Sequence, residues 1–206
     1  MALELQDVTI ALPGRTLVAG LTARVGAGEL LAVMGPSGAG KSSLLAWIAG
    51  TLEAPFTARG VLRLDGCGLD GVPTRERRVG LLFQDDLLFP HWNVRDNLLF
   101  ALPAGARGER VAAAEAALAQ AGLAGCGDQA PARLSGGQRA RVSLLRALLA
   151  APRALLLDEP FSRLDATLRA QMRSVTFDTL RARGVPAVLV THDAADVPPG
   201  AQVVNL

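Results

Sequence analysis

The chain has 206 residues, half of them apolar and 19% charged, with a formal net charge of +2. That length supports one main domain with a sizeable core, and that apolar content excludes a disordered scaffold. The slight positive balance argues neither for nor against a nucleic-acid partner. Cys67 and Cys126 lie far apart without metal-like spacing and fit a reduced compartment. The start, Met1 to Asp7, lacks the basic and long apolar regions of a signal peptide. Arg, Gly or Pro interrupts each apolar run before it reaches membrane-helix length. The expectation is a chain soluble by itself, with any membrane role coming through a partner.

In chain order, Leu3, Leu5, Val8 and Ile10 predict a half-buried strand over residues 3–10. Pro13-Gly14 marks a turn, and Thr16 to Val25 reads as the returning strand. Gly26 to Glu29 then turns the chain into an apolar run, Leu30 to Met34, expected as a buried strand. A helix is predicted from Lys41 to Ile48, ended by Gly50. Further strands are expected at Val61–Leu64 and Val79–Phe83. Asn93 is placed to cap a helix from Val94 to about Leu102, and the alanine-rich stretch 107–121 predicts another, closed by Gly122. Ser135 stands at the start of a helix whose apolar face carries Leu144, Leu145, Leu148 and Leu149. A buried strand at Ala154–Leu157, a helix at 166–182 and a buried strand at Ala187–Val190 complete the pattern. Strands alternating with helices predict an α/β fold: a mostly parallel sheet with helices and an antiparallel β region at the N-terminus.

Between the strand at Leu30–Met34 and the helix at Lys41 lies Gly35-Pro36-Ser37-Gly38-Ala39-Gly40-Lys41-Ser42. It has the G-x-x-x-x-G-K-S pattern of a phosphate-binding loop in the strand–helix setting that pattern requires. Glycines allow a tight turn whose N–H groups converge on phosphate oxygens, aided by the positive end of the following helix. Lys41 is then placed to hold β- and γ-phosphates and Ser42 to ligate Mg²⁺. Downstream, the apolar strand Ala154–Leu157 delivers Asp158 and Glu159 at its C-terminal end, where ligands gather in such sheets. Asp158 suits a hard cation, and Glu159 is placed to polarise an attacking water.

Leu134-Ser135-Gly136-Gly137-Gln138 resembles the signature of ATP-binding-cassette (ABC) ATPases. Over essentially the whole chain, the motif order is that family's. Walker A lies at 35–42, the Q-loop residue is Gln84, the signature follows at 134–138 and Walker B at 154–159. Ser162-Arg163-Leu164-Asp165 matches the D-loop, and His192 in Thr191-His192-Asp193 matches the switch histidine. The resemblance implies a P-loop NTPase core with an inserted helical subdomain at about 86–150, within one nucleotide-binding domain spanning 1–206. It implies ATP and Mg²⁺ as ligands, with Ser42, Gln84 and Asp158 at the metal and Glu159, His192 and Gln84 in catalysis. It adds Ser43, Ser135, Gly136, Gly137, Gln138 and Asp165 to the nucleotide-binding set.

In that family the signature of one protomer covers ATP on the phosphate loop of the other, so the resemblance implies an ATP-dependent, head-to-tail homodimer. Leu87 to Asn97, with its Leu-Phe-Pro-His start, is similar to the segment by which bacterial importer ATPases receive a permease. Longer matches, Leu-Ser-Gly-Gly-Gln-Arg-Ala-Arg-Val and Asp-Glu-Pro-Phe-Ser-Arg-Leu-Asp, look like the YnjD-like subgroup. These imply an integral membrane permease partner, an extracytoplasmic solute-binding protein, and a place at the cytoplasmic face of the cell membrane, with no nucleic-acid partner. Two alternatives stay open: a soluble cassette ATPase acting on nucleic acid or ribosomes, and an exporter subunit. Leu12 stands where the family usually places an adenine-stacking aromatic, and the chain has no Tyr. His91 reads as a loop histidine, and Arg75, Arg77 and Arg78 read as a solvated basic face.

Overall fold

A computed structural model describes residues 1–83 and 85–206, so the predicted Q-loop residue Gln84 lies outside the described residues. The chain divides into two compact units. The first comprises Met1–Leu81, Pro152–Glu159 and Leu180–Leu206; the second comprises Leu82–Ala151 and Pro160–Thr179.

The first unit opens with an antiparallel sheet. Strand β1 (Leu3–Leu12) pairs with β2 (Arg15–Val25) and with β4 (Thr57–Leu64), which continues into the short β5 (Cys67–Gly68). The buried residues of β1 change parity, from Leu3 and Leu5 to Val8 and Ile10. A period-two strand can do this only by inserting a residue, and the register shifts between Leu5 and Val8. Asp7, at φ 50, is the residue that turns there. Strand β4 starts four residues earlier than expected, because Thr57–Arg59 complete the ladder along β1.

The second sheet of this unit has the order β6-β7-β8-β3-β9. Its strands are β3 (Leu30–Met34), β6 (Val79–Leu82), β7 (Ala154–Asp158), β8 (Ala187–Val190) and β9 (Gln202–Asn205). The pairs β3·β8, β3·β9 and β7·β8 are all parallel. Continuous apolar runs in β3, β7 and β8 are buried on both faces, as parallel strands covered by helices require. Strand β9 was not foreseen; Gln202–Asn205 is short, largely exposed and gains its conformation from pairing with β3. Helix α1 (Lys41–Ala49) follows β3 and ends at Gly50, which adopts the left-handed conformation expected of a helix stop. Leu44, Leu45 and Ile48 of α1 pack into a core with Leu31, Val33, Leu156, Val188 and Val190.

The one-turn helix α2 (Thr74–Arg77) corrects the reading of the basic group. Arg75 and Arg78 are exposed, but Arg77 is half-buried. Its guanidinium donates to the carbonyls of Trp47 (3.1 Å), Ile48 (2.9 Å) and Val72 (2.9 Å). It thereby satisfies the last carbonyls of α1, where a cation also meets the negative end of the helix.

The second unit is helical. It holds α3 (Val94–Ala101), α4 (Arg107–Gln120), α5 (Gly136–Leu149) and most of α6 (Ala166–Arg183). Asn93 caps α3 as predicted, its side chain accepting from Asp96 N at 2.7 Å. Leu98, Leu118, Val142, Leu144, Leu145, Leu148 and Phe161 are buried. Among the described residues, no helix is long and apolar enough to cross a membrane.

Candidate active site

Three neighbouring parallel strands, β3, β8 and β7, end together and carry the chemistry at their C-terminal ends. Gly35 to Gly40 form the loop from β3 into α1, and Lys41, Ser42 and Ser43 are the first residues of that helix. Gly35 and Gly40 have φ of 149 and 101, a region that favours glycine. A Cβ at Gly35 would lie 2.7 Å from the Leu206 carbonyl oxygen, and one at Gly40 would lie 2.8 Å from Leu17 Cβ. The loop is thus clasped by the chain end on one side and by β2 on the other. Pro36, Ser37 and Gly38 are exposed, while Lys41 is buried. Its ammonium donates to the carbonyls of Gly35 (2.8 Å) and Pro36 (2.9 Å), which aims the cation back across the loop.

Asp158 ends β7, and the hydroxyl of Ser42 hydrogen-bonds its carboxylate. Burial pushes the Asp158 carboxyl above its ordinary range and neighbouring Glu159 adds to the effect, while Ser42 and Lys41 oppose it. A carboxylate held at such a cost, beside a hydroxyl, is a fitting pair of oxygen donors for a hard divalent cation. The described residues contain no cluster of three or more acidic, His or Cys ligands. Two protein oxygens suit Mg²⁺, which is usually bound by one or two protein groups with waters and substrate phosphates completing the set.

Glu159 follows with φ 47, a conformation that a non-glycine residue adopts at a cost and that clusters at functional sites. Its N–H donates to Val190 O at 3.0 Å, tying it to the end of β8. His192 lies two residues beyond Val190, and its Nδ1 is 3.1 Å from Glu159 Oε1. Lys41, Ser42, Asp158, Glu159 and His192 therefore share one sheet end, Asp158 beside Ser42 and Lys41, and Glu159 beside His192.

The remaining predicted residues belong to the second unit. Ser135 is the N-cap of α5, in a reciprocal capping box. Its hydroxyl accepts from Gln138 N (3.2 Å), while the Gln138 side chain accepts from Ser135 N (2.8 Å). Gly136 and Gly137 are the first helical residues, so their N–H groups lie at the positive end of α5. Asp165 precedes α6 and accepts from Leu168 N at 3.1 Å. Sequence reasoning missed Arg15, whose Nη2 reaches Gly38 O at 3.4 Å from the β1–β2 hairpin. No motif marks Arg15, which depends on a contact between segments. Asn97, the last residue of the importer-like stretch, is buried and binds the backbone of Phe89, Trp92 and Asn93, a structural role that its place in that stretch does not announce.

A family model for ABC transporters matches residues 18–162. The chain belongs to the ABC transporter family. It is an ATPase of that family, with ATP as its substrate. The cassette is 48% identical over 202 residues to the uncharacterized ABC transporter ATP-binding protein YnjD of Escherichia coli K12, covering 98% of this chain and 93% of that protein. It is 47% identical to the thiamine import ATP-binding protein ThiQ of Cereibacter sphaeroides, over 82% of this chain and 73% of ThiQ. It is 42% identical to a spermidine/putrescine import ATP-binding protein, PotA of Pseudomonas aeruginosa, over 94% of this chain and 53% of PotA. Among solved structures it resembles the ATP-binding cassette MJ0796, in a dimeric post-hydrolysis state bound to ADP and Pi. The TM-score is 0.85 at 27% identity, covering 99% of this cassette and 94% of MJ0796. The P-loop NTPase core expected from the motifs is the observed α/β fold.

Proposed function

We propose that this cassette is the ATP-hydrolysing subunit of a solute importer, acting under a separate membrane permease at the cytoplasmic face of the membrane. The observation that carries the catalytic part is the convergence of Lys41, Ser42, Asp158, Glu159 and His192 at one end of the parallel sheet. Lys41 and the loop N–H groups bind the β- and γ-phosphates. Ser42 and Asp158, with Gln84, hold Mg²⁺, which when bound would offset phosphate charge. Glu159 orients and polarises water against the γ-phosphate, and His192 contacts that phosphate from the neighbouring strand. Phosphoryl transfer depends chiefly on such positioning and charge stabilisation.

The second unit is the helical subdomain of this reading, carrying Ser135, Gly136, Gly137 and Gln138. Two copies associate head to tail with ATP between them, each signature facing the partner's phosphate loop, with Asp165 at the same junction. The dimeric state of MJ0796 supports this. ATP binding closes the pair and hydrolysis with product release reopens it, a two-state cycle able to drive a partner.

The import direction is supported by the names of ThiQ and PotA. An apolar surface in the second unit supports the permease contact. Phe89, Trp92 and Phe100 form an aromatic cluster with ring centroids 4.7 to 5.4 Å apart, and Phe100 is 63% exposed beside the exposed Leu87. An exposed apolar group shared by the loop before α3, which Asn97 ties to the helix, and by Phe100 of α3 suits a docking helix. An extracytoplasmic solute-binding protein completes the system. The test is purification of the tagged cassette from its native membranes: a stoichiometric multispanning permease supports the reading, and a cassette recovered with ribosomes or DNA rejects it.

A further inference from the structure

His192 is exposed, its side chain at 63%, so side-chain packing does not hold it. Its position comes from the backbone on either side. That backbone is tied by two buried polar groups, Thr191 beside the histidine and Asp196 beyond the motif. Asp196, 2% exposed, ends a short 3-10 turn at Ala194–Asp196 and accepts from Thr191 Oγ1 at 2.9 Å. Thr191 is 1% exposed, and its hydroxyl in turn accepts from Asp193 N at 3.1 Å. The two bonds bracket His192 from both neighbours. Thr191 N also donates to Val33 O (3.3 Å), which anchors the same turn to the strand feeding the phosphate loop. Asp193 closes the arrangement by accepting from Ala195 N at 2.9 Å.

We infer that Asp196 and Thr191 are positioning residues for catalysis, holding His192 against Glu159 by locking the 191–196 turn; the inference rests on the role proposed above for His192. Burying an apolar side chain is favourable, whereas burying a carboxylate is costly unless hydrogen bonds compensate it, so Asp196 is sustained at this buried position by the bonds it makes. Without the Asp196–Thr191 bond, the exposed imidazole follows a looser backbone. A displacement of about 1 Å at a catalytic group costs up to ~10²-fold in rate.

The test compares steady-state Mg-ATP hydrolysis, nucleotide binding and thermal unfolding for wild type, Thr191→Val, Thr191→Ser, Asp196→Ala, the Thr191→Val/Asp196→Ala double variant and His192→Ala. Thr191→Val keeps the side-chain shape and removes the hydroxyl, whereas Thr191→Ser keeps the hydroxyl. The expected result is a kcat fall of about 10- to 10²-fold in Thr191→Val and Asp196→Ala, with KM nearly unchanged. Thr191→Ser should retain wild-type kcat, and the double variant should be no slower than either single one, since both remove one interaction. If Asp196→Ala does not fold, the Thr191→Val and Thr191→Ser pair carries the comparison. Loss of turnover in His192→Ala alone, with normal kcat in folded Thr191→Val, overturns the inference. A lowered melting temperature with unchanged kcat does the same. Normal turnover in His192→Ala withdraws the role of the histidine itself, and the inference with it.

Discussion

His192 Nδ1 stands 3.1 Å from Glu159 Oε1 because their strands are paired in register, Asp158 opposite Val190 in β7 and β8. Glu159 lies one residue past that pair and His192 two, so the parallel ladder brings the two chain segments side by side. An acid so placed can take its water from a fixed direction. Glu159→Gln keeps the shape and discards the charge. Turnover should fall by about 10²–10⁴-fold while Mg-ATP still binds. Unhydrolysed nucleotide should then accumulate closed dimers, seen by light scattering with Mg-ATP and absent with ADP. Near-normal turnover would shift the catalytic role to His192.

Lys41→Ala should abolish ATP binding in a direct titration. The buried ammonium is aimed across the loop by two carbonyls and supplies its fixed positive charge. Unchanged affinity would remove the phosphate-cradle assignment.

Ser135→Arg should stop hydrolysis yet leave ATP binding to the monomer intact, because the signature is proposed to meet nucleotide only across the dimer. The bulky cation replaces the cap hydroxyl of α5, so folding is checked by circular dichroism. A collapse of monomer binding in a folded variant would disprove the trans arrangement.

Phe100→Asp should uncouple the permease and spare basal ATPase. Phe100 is exposed and packs edge-on against Phe89, whose ring also carries the Arg146 guanidinium at 5.6 Å from its centroid. A charge there disrupts an apolar docking surface at little cost to the fold. Normal permease assembly and transport by this variant would reject the site.

Asp65 offers a pH-dependent test of stability. The hydrogen bond from Arg153 (2.6 Å) holds its carboxyl below the ordinary range against the opposing effect of burial, with a further contribution from Ala2 N (2.7 Å). A depressed folded pKa contributes stability above the unfolded value, and that contribution is lost as pH falls through the folded one. Arg153→Met should therefore cost about 0.2–1 kcal/mol near neutrality, a small value because both side chains are partly exposed. The gap between the two denaturation curves should close in acid. A gap independent of pH would show that Arg153 acts through packing alone.

Residues acting through local pattern were legible in the chain itself. Gly35 to Ser42 declare a phosphate loop because a tight turn needs glycine and anions need the lysine. The short apolar runs of β3, β7 and β8, alternating with longer helical patterns, read as buried parallel strands because strands covered by helices on both faces need continuous apolar sequence. Asn93 and Ser135 announce helix starts because a short polar side chain satisfies the first N–H groups. Tertiary structure decided what depends on distant partners. Arg77 looked like solvated charge until α1 supplied carbonyls about 30 residues away in sequence. Gln202–Asn205 becomes a strand only beside β3, and residues 160–179 join residues 82–151 only through contact. Thr191 stands in the sequence only as the neighbour of His192, and Asp196 as an ordinary polar residue. Folding buries both and brings the Thr191 hydroxyl to the Asp196 carboxylate, because buried polar groups are kept where they find hydrogen-bond partners.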